Sequence, residues 1–154
     1  MSSPYTPPAA PVRDPAAKKG SAAWAVIAGL LVDLGGSFLA GIVLTVLYGA
    51  TLLDGATDEA QIAAELSSIP ADSWVSIIGM IVGCLFSILG GYVCARIARR
   101  SEYKLGGIVA AIAAVVGALV GAGYYPLMLN ISMIVATVLS VLSGVWLGVR
   151  RNER

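Results

Sequence analysis

Apolar residues come along this chain in four long blocks rather than in alternation with polar ones. From Trp74 to Ala95 there is no charged residue. Those 22 positions, as a helix, rise about 33 Å, enough to cross a hydrocarbon core of about 30 Å. The blocks predict transmembrane helices over about 23–49, 73–98, 105–123 and 127–149. The fold class that follows is all-α, a polytopic membrane protein with one membrane domain over 23–150 and no room for a second, soluble one.

Each block carries a row of small residues four apart. The second has Gly79, Gly83, Ser87, Gly91 and Ala95; the first has Gly29, Asp33, Ser37, Gly41, Thr45 and Gly49. The third has Gly106, Ala110, Ala114 and Ala118, and the fourth Ser132, Ala136, Ser140, Gly144 and Gly148. In lipid no hydrophobic force holds helices together, so packing relies on small residues that let backbones approach. The rows therefore predict four packing seams, with Gly79, Gly83, Ser87, Gly91, Ser37 and Gly41 as the main contact positions. The doublets Gly35-Gly36 and Gly90-Gly91 read as close helix contacts, or alternatively as breaks lining a site. Asn130 reads as an interhelical hydrogen bond.

Residues 1–22 hold Pro4, Pro7, Pro8, Pro11 and Pro15 and are expected to form a disordered, proline-rich tail. Residues 50–73 form the one sizeable loop. Thr57 caps a predicted short amphipathic helix with Asp58 and Glu59 in its first turn and Ile62, Leu66 and Ile69 on one face. Pro70 ends it. Lys18 and Lys19 ahead of an apolar run suggest a leader peptide, but the run is too long and no cleavage site follows.

Composition agrees with the pattern. Of 154 residues, 58% are hydrophobic and 12% charged, where soluble domains average about 25% charged. The net charge of +1 becomes informative once sorted by loop. All ten basic residues lie in the N-terminal tail, the loop between the second and third blocks, or the C-terminal end at 150–154. The 50–73 loop holds only acids: Asp54, Asp58, Glu59, Glu65 and Asp72. The positive-inside rule then expects both termini in the cytoplasm, the 50–73 loop outside, and Arg99, Arg100 and Lys104 at lipid headgroups. Beside a membrane this basic cluster implies no nucleic-acid partner.

Asp33 is the one carboxylate well inside an apolar block. A charge at that depth costs at least about 2.5 kcal/mol, so it must be paired, protonated or turned inward. Arg96 is the expected partner and Tyr92 an expected hydrogen-bond donor, giving an intramembrane polar network of Asp33, Tyr92 and Arg96. The alternatives are a carboxylate that couples protons or cations, and a neutral carboxyl with a local hydrogen bond. Cys84 and Cys94 point about 80° apart on one helix, which excludes a disulfide within it, and they read as small apolar residues. The chain has no histidine, which removes the Ser–His hydrolases and the commonest metal ligand. An aspartyl protease needs two buried acids. No enzyme, cofactor or metal is expected.

Asp33-Leu34-Gly35-Gly36, together with Gly90-Gly91-Tyr92-Val93-Cys94-Ala95-Arg96-Ile97-Ala98, resembles small, uncharacterised bacterial four-span proteins with a D-L-G-G first helix and a G-G-Y-x-x-A-R end to the second. That resemblance implies the bacterial inner membrane and no known activity. Small multidrug transporters also have four spans and one carboxylate in the first, but this chain is longer, its loop larger, and its acid Asp rather than Glu. The expected function is a non-enzymatic interaction, assembly or accessory component. Its partners are membrane lipids and either a second copy or another membrane protein. The alternative is a small transporter or channel subunit coupled through Asp33.

Overall fold

The computed structural model describes residues 21–53, 69–70, 73–99, 101–122 and 125–152. The tail expected over 1–22 falls outside them as far as Gly20, and the loop helix expected between Thr57 and Pro70 falls outside them except for Ile69. Among the described residues every regular element is a helix, and four helices are long and apolar enough to cross a membrane.

The first span runs through three pieces: α1 (Ala22–Leu30), a single π-helical segment (Leu31–Gly35), and α2 (Gly36–Leu53). The second is α3 (Trp74–Ala98), the third α4 (Glu102–Gly121), and the fourth α5 (Leu127–Asn152). Ser21 caps α1 by accepting the Trp24 N–H at 3.4 Å, and Ser73 caps α3 by accepting the Ser76 N–H at 3.2 Å. The third helix starts three residues earlier than the apolar block predicts. The fourth runs three residues past the predicted 149, through Arg150, Arg151 and Asn152. Arg150 stacks over Trp146, one turn back, at 5.3 Å.

Between α3 and α4 the chain reverses within residues 99–101. Arg99 (φ 48°) and Ser101 (φ 55°) both take the left-handed conformation. Each costs a non-glycine residue about 1–2 kcal/mol, and Arg99 recovers part by donating its N–H to Ala95 O.

The interior is built from small side chains. The largest fully buried ones are Val109, Val141, Val145 and Cys94, joined by Ala25, Ala95, Ala98 and Ala110. Phe38, Leu39, Leu119, Leu127 and Met128 face outward instead. This inverts the arrangement of a soluble domain, because lipid welcomes the large apolar residues and only small ones let backbones close. Helix α3 is central, touching the first span, α4 and α5, and it shares its largest contact with α5.

The core lies at one end, where Ser21, the 99–101 turn and Asn152 sit; this is the narrow end. Toward the opposite end, at Leu53 and Pro126, the first span separates from α5, while α4 and α5 stay packed at Gly121 and Asn130. Helix α2 leans on α3 and makes no comparable contact with α4 or α5. There Tyr48 packs edge-on against Trp74, with ring centroids 6.2 Å apart.

Candidate functional site

The small-residue rows explain the asymmetry. Gly91 lies directly under Val141 of α5, and Gly144 under the Ile88 carbonyl of α3; Gly148 meets Ala95 and the Tyr92 carbonyl. Gly29 and Gly90 form the matching contact between α1 and α3. A methyl group on Gly90 would stand 2.7 Å from Gly29 O and 2.8 Å from Asp33 Cβ. All of these lie in the narrow half. In the wide half, a Cβ on Gly41 or Gly83 would meet nothing within 4 Å, and one on Gly79 would make only ordinary contact with Leu44 at 3.7 Å.

A strict four-residue row turns 40° at every step around a helix of 3.6 residues per turn. Two steps beyond Asp33, Gly41 has swung about 80° away, and it is exposed. The first span instead faces α3 with Gly36 under the Phe86 ring, Leu44 beside Gly79, and Tyr48 on Trp74. Ser87 and Gly91 are contact positions in the assembled protein; Gly41 and Gly83 are not, and Ser37 is only half-buried.

What Gly41 and Gly83 line is a cleft of about 470 Å³ between α2, α3 and α5. Thr45, Gly79, Cys84 and Thr137 share it. Thr137 spends its hydroxyl on Met133 O one turn back, so the walls are mostly apolar and small.

One turn of α3 below the cleft, Ser87 donates to Asp33 Oδ1 at 2.7 Å. Asp33 is 2% exposed and sits in the π-helical segment, a rare conformation that concentrates at functional positions. It stands eleven residues from the narrow end of its span, about 16 Å, close to the middle of a bilayer. Its Oδ2 is buried with no hydrogen-bond partner among the described residues.

The expected network of Asp33, Tyr92 and Arg96 is therefore corrected. Arg96 is nine residues beyond Ser87, about 13 Å further toward the narrow end. Its guanidinium donates to Asn152 Oδ1 at 2.9 Å. Tyr92 lies about 200° around α3 from Gly90 and belongs to the α5 contact. Asn152, which nothing in the apolar pattern singles out, also donates to Ala95 O at 3.1 Å and reaches Glu102 Oε1 at 3.5 Å. It thus clasps the ends of α3, α4 and α5. A polar residue directly after Arg150-Arg151 was the only signal for it.

Asn130 is buried where α4 ends, packed on Gly121 and donating to Ala118 O at 3.5 Å. Gly35 meets nothing, so the first glycine doublet marks the end of the π-helical segment rather than a break. Arg99 and Lys104 are exposed at the narrow end, and Arg100 falls outside the described residues.

No family model, curated protein or solved structure matches the chain. The functional reading rests on the geometry alone. Two features stand out in it: small residues exposed to an open cleft, and a mid-membrane carboxyl with no counter-charge among the described residues.

Proposed function

We propose that this protein is a non-enzymatic integral membrane component whose open half receives a transmembrane helix of a partner. The observation that carries this reading is the small-residue surface along the cleft, where Gly41 and Gly83 are left free and Gly79 has only Leu44 beside it. Gly79 and Gly83 are spaced G-x-x-x-G, the spacing that admits a closely packed second helix, and no helix of the chain takes it up at Gly83. The partner is a second copy of the chain or another membrane protein, in a setting of membrane lipids.

Gly83→Leu fills the cleft without touching the packed core. We expect it to leave unfolding in detergent unchanged. We also expect it to abolish photo-crosslinks to protein from a reactive group placed at Thr137. Crosslinks to lipid alone in the unaltered protein would end the reading.

The charge distribution supports both termini and the 99–104 turn in the cytoplasm, since every basic residue precedes the first span, lies in or beside the turn between α3 and α4, or follows Trp146; the bacterial inner membrane is what the resemblance of residues 33–36 and 90–98 implies. With Cys84 and Cys94 replaced, a cysteine introduced at Ala56 should react with an impermeant thiol reagent on intact cells. One introduced at Ser101 should be protected. The reverse pattern would invert the topology.

A second reading, a small transporter or channel subunit coupled through Asp33, is favoured by one specific observation. The carboxyl is buried at mid-membrane depth and its only hydrogen-bond partner among the described residues is a neutral hydroxyl. Ionisable residues inside membranes are costly and mark ion pathways by default.

A further inference from the structure

We infer that Asp33 Oδ2 is a proton-exchange site reached from the cleft at the wide end and closed toward the narrow end. This deepens the Asp33-coupled reading by naming the ion and the side from which it arrives.

The site is built by two helices. Ser87 fixes Oδ1 with its hydroxyl, which leaves Oδ2 as the free lone-pair oxygen. Asp33 Cβ lies against Gly90, so α3 backbone closes one wall. The π-helical segment packs on α3 alone among the other spans to any marked extent. The titratable or charged groups of α3 are Cys84, Tyr92, Cys94 and Arg96. Cys84 lines the cleft above Asp33, and Cys94 touches Gly29 one turn below it. The Tyr92 backbone packs on Gly144 and Gly148 of α5, and Arg96 is held by Asn152. Helix α2 adds only Tyr48, at the far end of the span on Trp74.

Among the described residues, then, no charge balances the carboxylate. A larger cation has no place here, since Oδ2 lacks accessible surface and only one side-chain hydroxyl stands nearby. A proton needs neither room nor further ligands, and it removes the charge that mid-membrane burial penalises.

The route is one-sided. Toward the narrow end Asp33 is sealed by Gly29 against Gly90 and Cys94, and below them by Ala25, Ala95, Ala98 and Val109. Toward the wide end one layer covers it: Phe86 rests on Gly36, one turn of the first span beyond Asp33, and Gly83 at the cleft stands four residues, about 6 Å, from Ser87. The step is a proton transfer between Oδ2 and a water molecule that passes this layer from the cleft, since Oδ2 itself has no accessible surface and lines no part of the cleft. One O–H bond forms as another breaks, and the return transfer restores both.

The test is infrared spectroscopy of the full chain in lipid vesicles, following the carbonyl stretch of a protonated carboxylic acid. We expect such a band in the unaltered protein, lost in Asp33→Asn, shifting in heavy water and weakening as pH rises. Ser87→Ala removes the hydrogen bond to Oδ1 and should shift the band, which identifies it as Asp33 even if Asp33→Asn fails to fold. Gly83→Leu should slow the heavy-water shift by closing the route.

Absence of the band at every pH would overturn the proton site. A band indifferent to pH and heavy water would overturn exchange. A shift equally fast in Gly83→Leu would overturn the route. The coupling reading fails separately. An exchanging band without Asp33-dependent cation flux sustains the proton site and removes transport. Asp33-dependent flux without any band keeps transport and removes the proton.

Discussion

Gly144→Leu is expected to destabilise the protein by about 3 kcal/mol, the upper end of what overpacking usually costs. A Cβ at this position lands on the Ile88 carbonyl oxygen of α3, and it would also lie 2.8 Å from Ile88 C and 2.9 Å from Tyr92 N. These are backbone atoms, which cannot rotate aside as a side chain does. Helices α3 and α5 must move apart, and theirs is the largest helix–helix contact in the bundle. Neighbouring contacts would open with it, since Gly91 lies under Val141 O and a Cβ on Gly148 would stand 2.6 Å from Ala95 Cβ.

Gly144→Ala should act in the same direction but less strongly, because alanine also gains up to about 1 kcal/mol of helix propensity over glycine. Gly117→Leu is the control, as nothing lies within 4 Å of a Cβ there. The measurement is the unfolding free energy in mixed micelles. Equal stability for Gly144→Leu and Gly117→Leu would mean that α3 and α5 do not meet at this glycine.

The second large effect lies at the buried pair. Ser87→Ala is expected to cost about 2 kcal/mol, because it strips Asp33 of its hydrogen bond and leaves both carboxylate oxygens buried without one. In an Asp33→Ala background the same change has little left to break, so its cost should fall. The coupling between the two positions should be about 0.6–2 kcal/mol, the order found for polar contacts inside membrane bundles. Arg96→Ala, by contrast, should cost the same with and without Asp33, since Arg96 belongs to the Asn152 clasp. Strong coupling of Asp33 to Arg96, with none to Ser87, would restore the ion pair that the charge pattern suggests.

That reassignment shows where reading one chain as a string of blocks stops. Asp33 and Arg96 are the natural pair on paper because they are opposite in sign and each lies inside or beside an apolar block. Whether they meet depends on depth and azimuth. Ser87 lies level with Asp33 and faces it, while Arg96 lies two and a half turns further along. A serine within a row of small residues carries no mark that distinguishes a hydrogen-bond donor from a spacer.

The number of spans, their order and their approximate ends were determined by the sequence itself. A run of some twenty uncharged apolar residues has one inexpensive environment, and within it the backbone must satisfy its own hydrogen bonds as a helix. The preference for small residues at helix contacts was legible for the same reason, since it is a property of lipid as a solvent.

Which small residues make those contacts was decided only by the tertiary structure. A row spaced by four drifts 40° per step, so Gly91, Gly144 and Gly148 meet a neighbour while Gly41 and Gly83 turn into a cleft. The π-helical segment at Leu31–Gly35 is likewise seen only in the folded protein. Nothing local in Leu31-Val32-Asp33-Leu34-Gly35 demands a wider turn. Burying Asp33 against Gly90 and within reach of Ser87 requires a particular rotation of the first span on α3, and a relation between two helices is not written in either one alone.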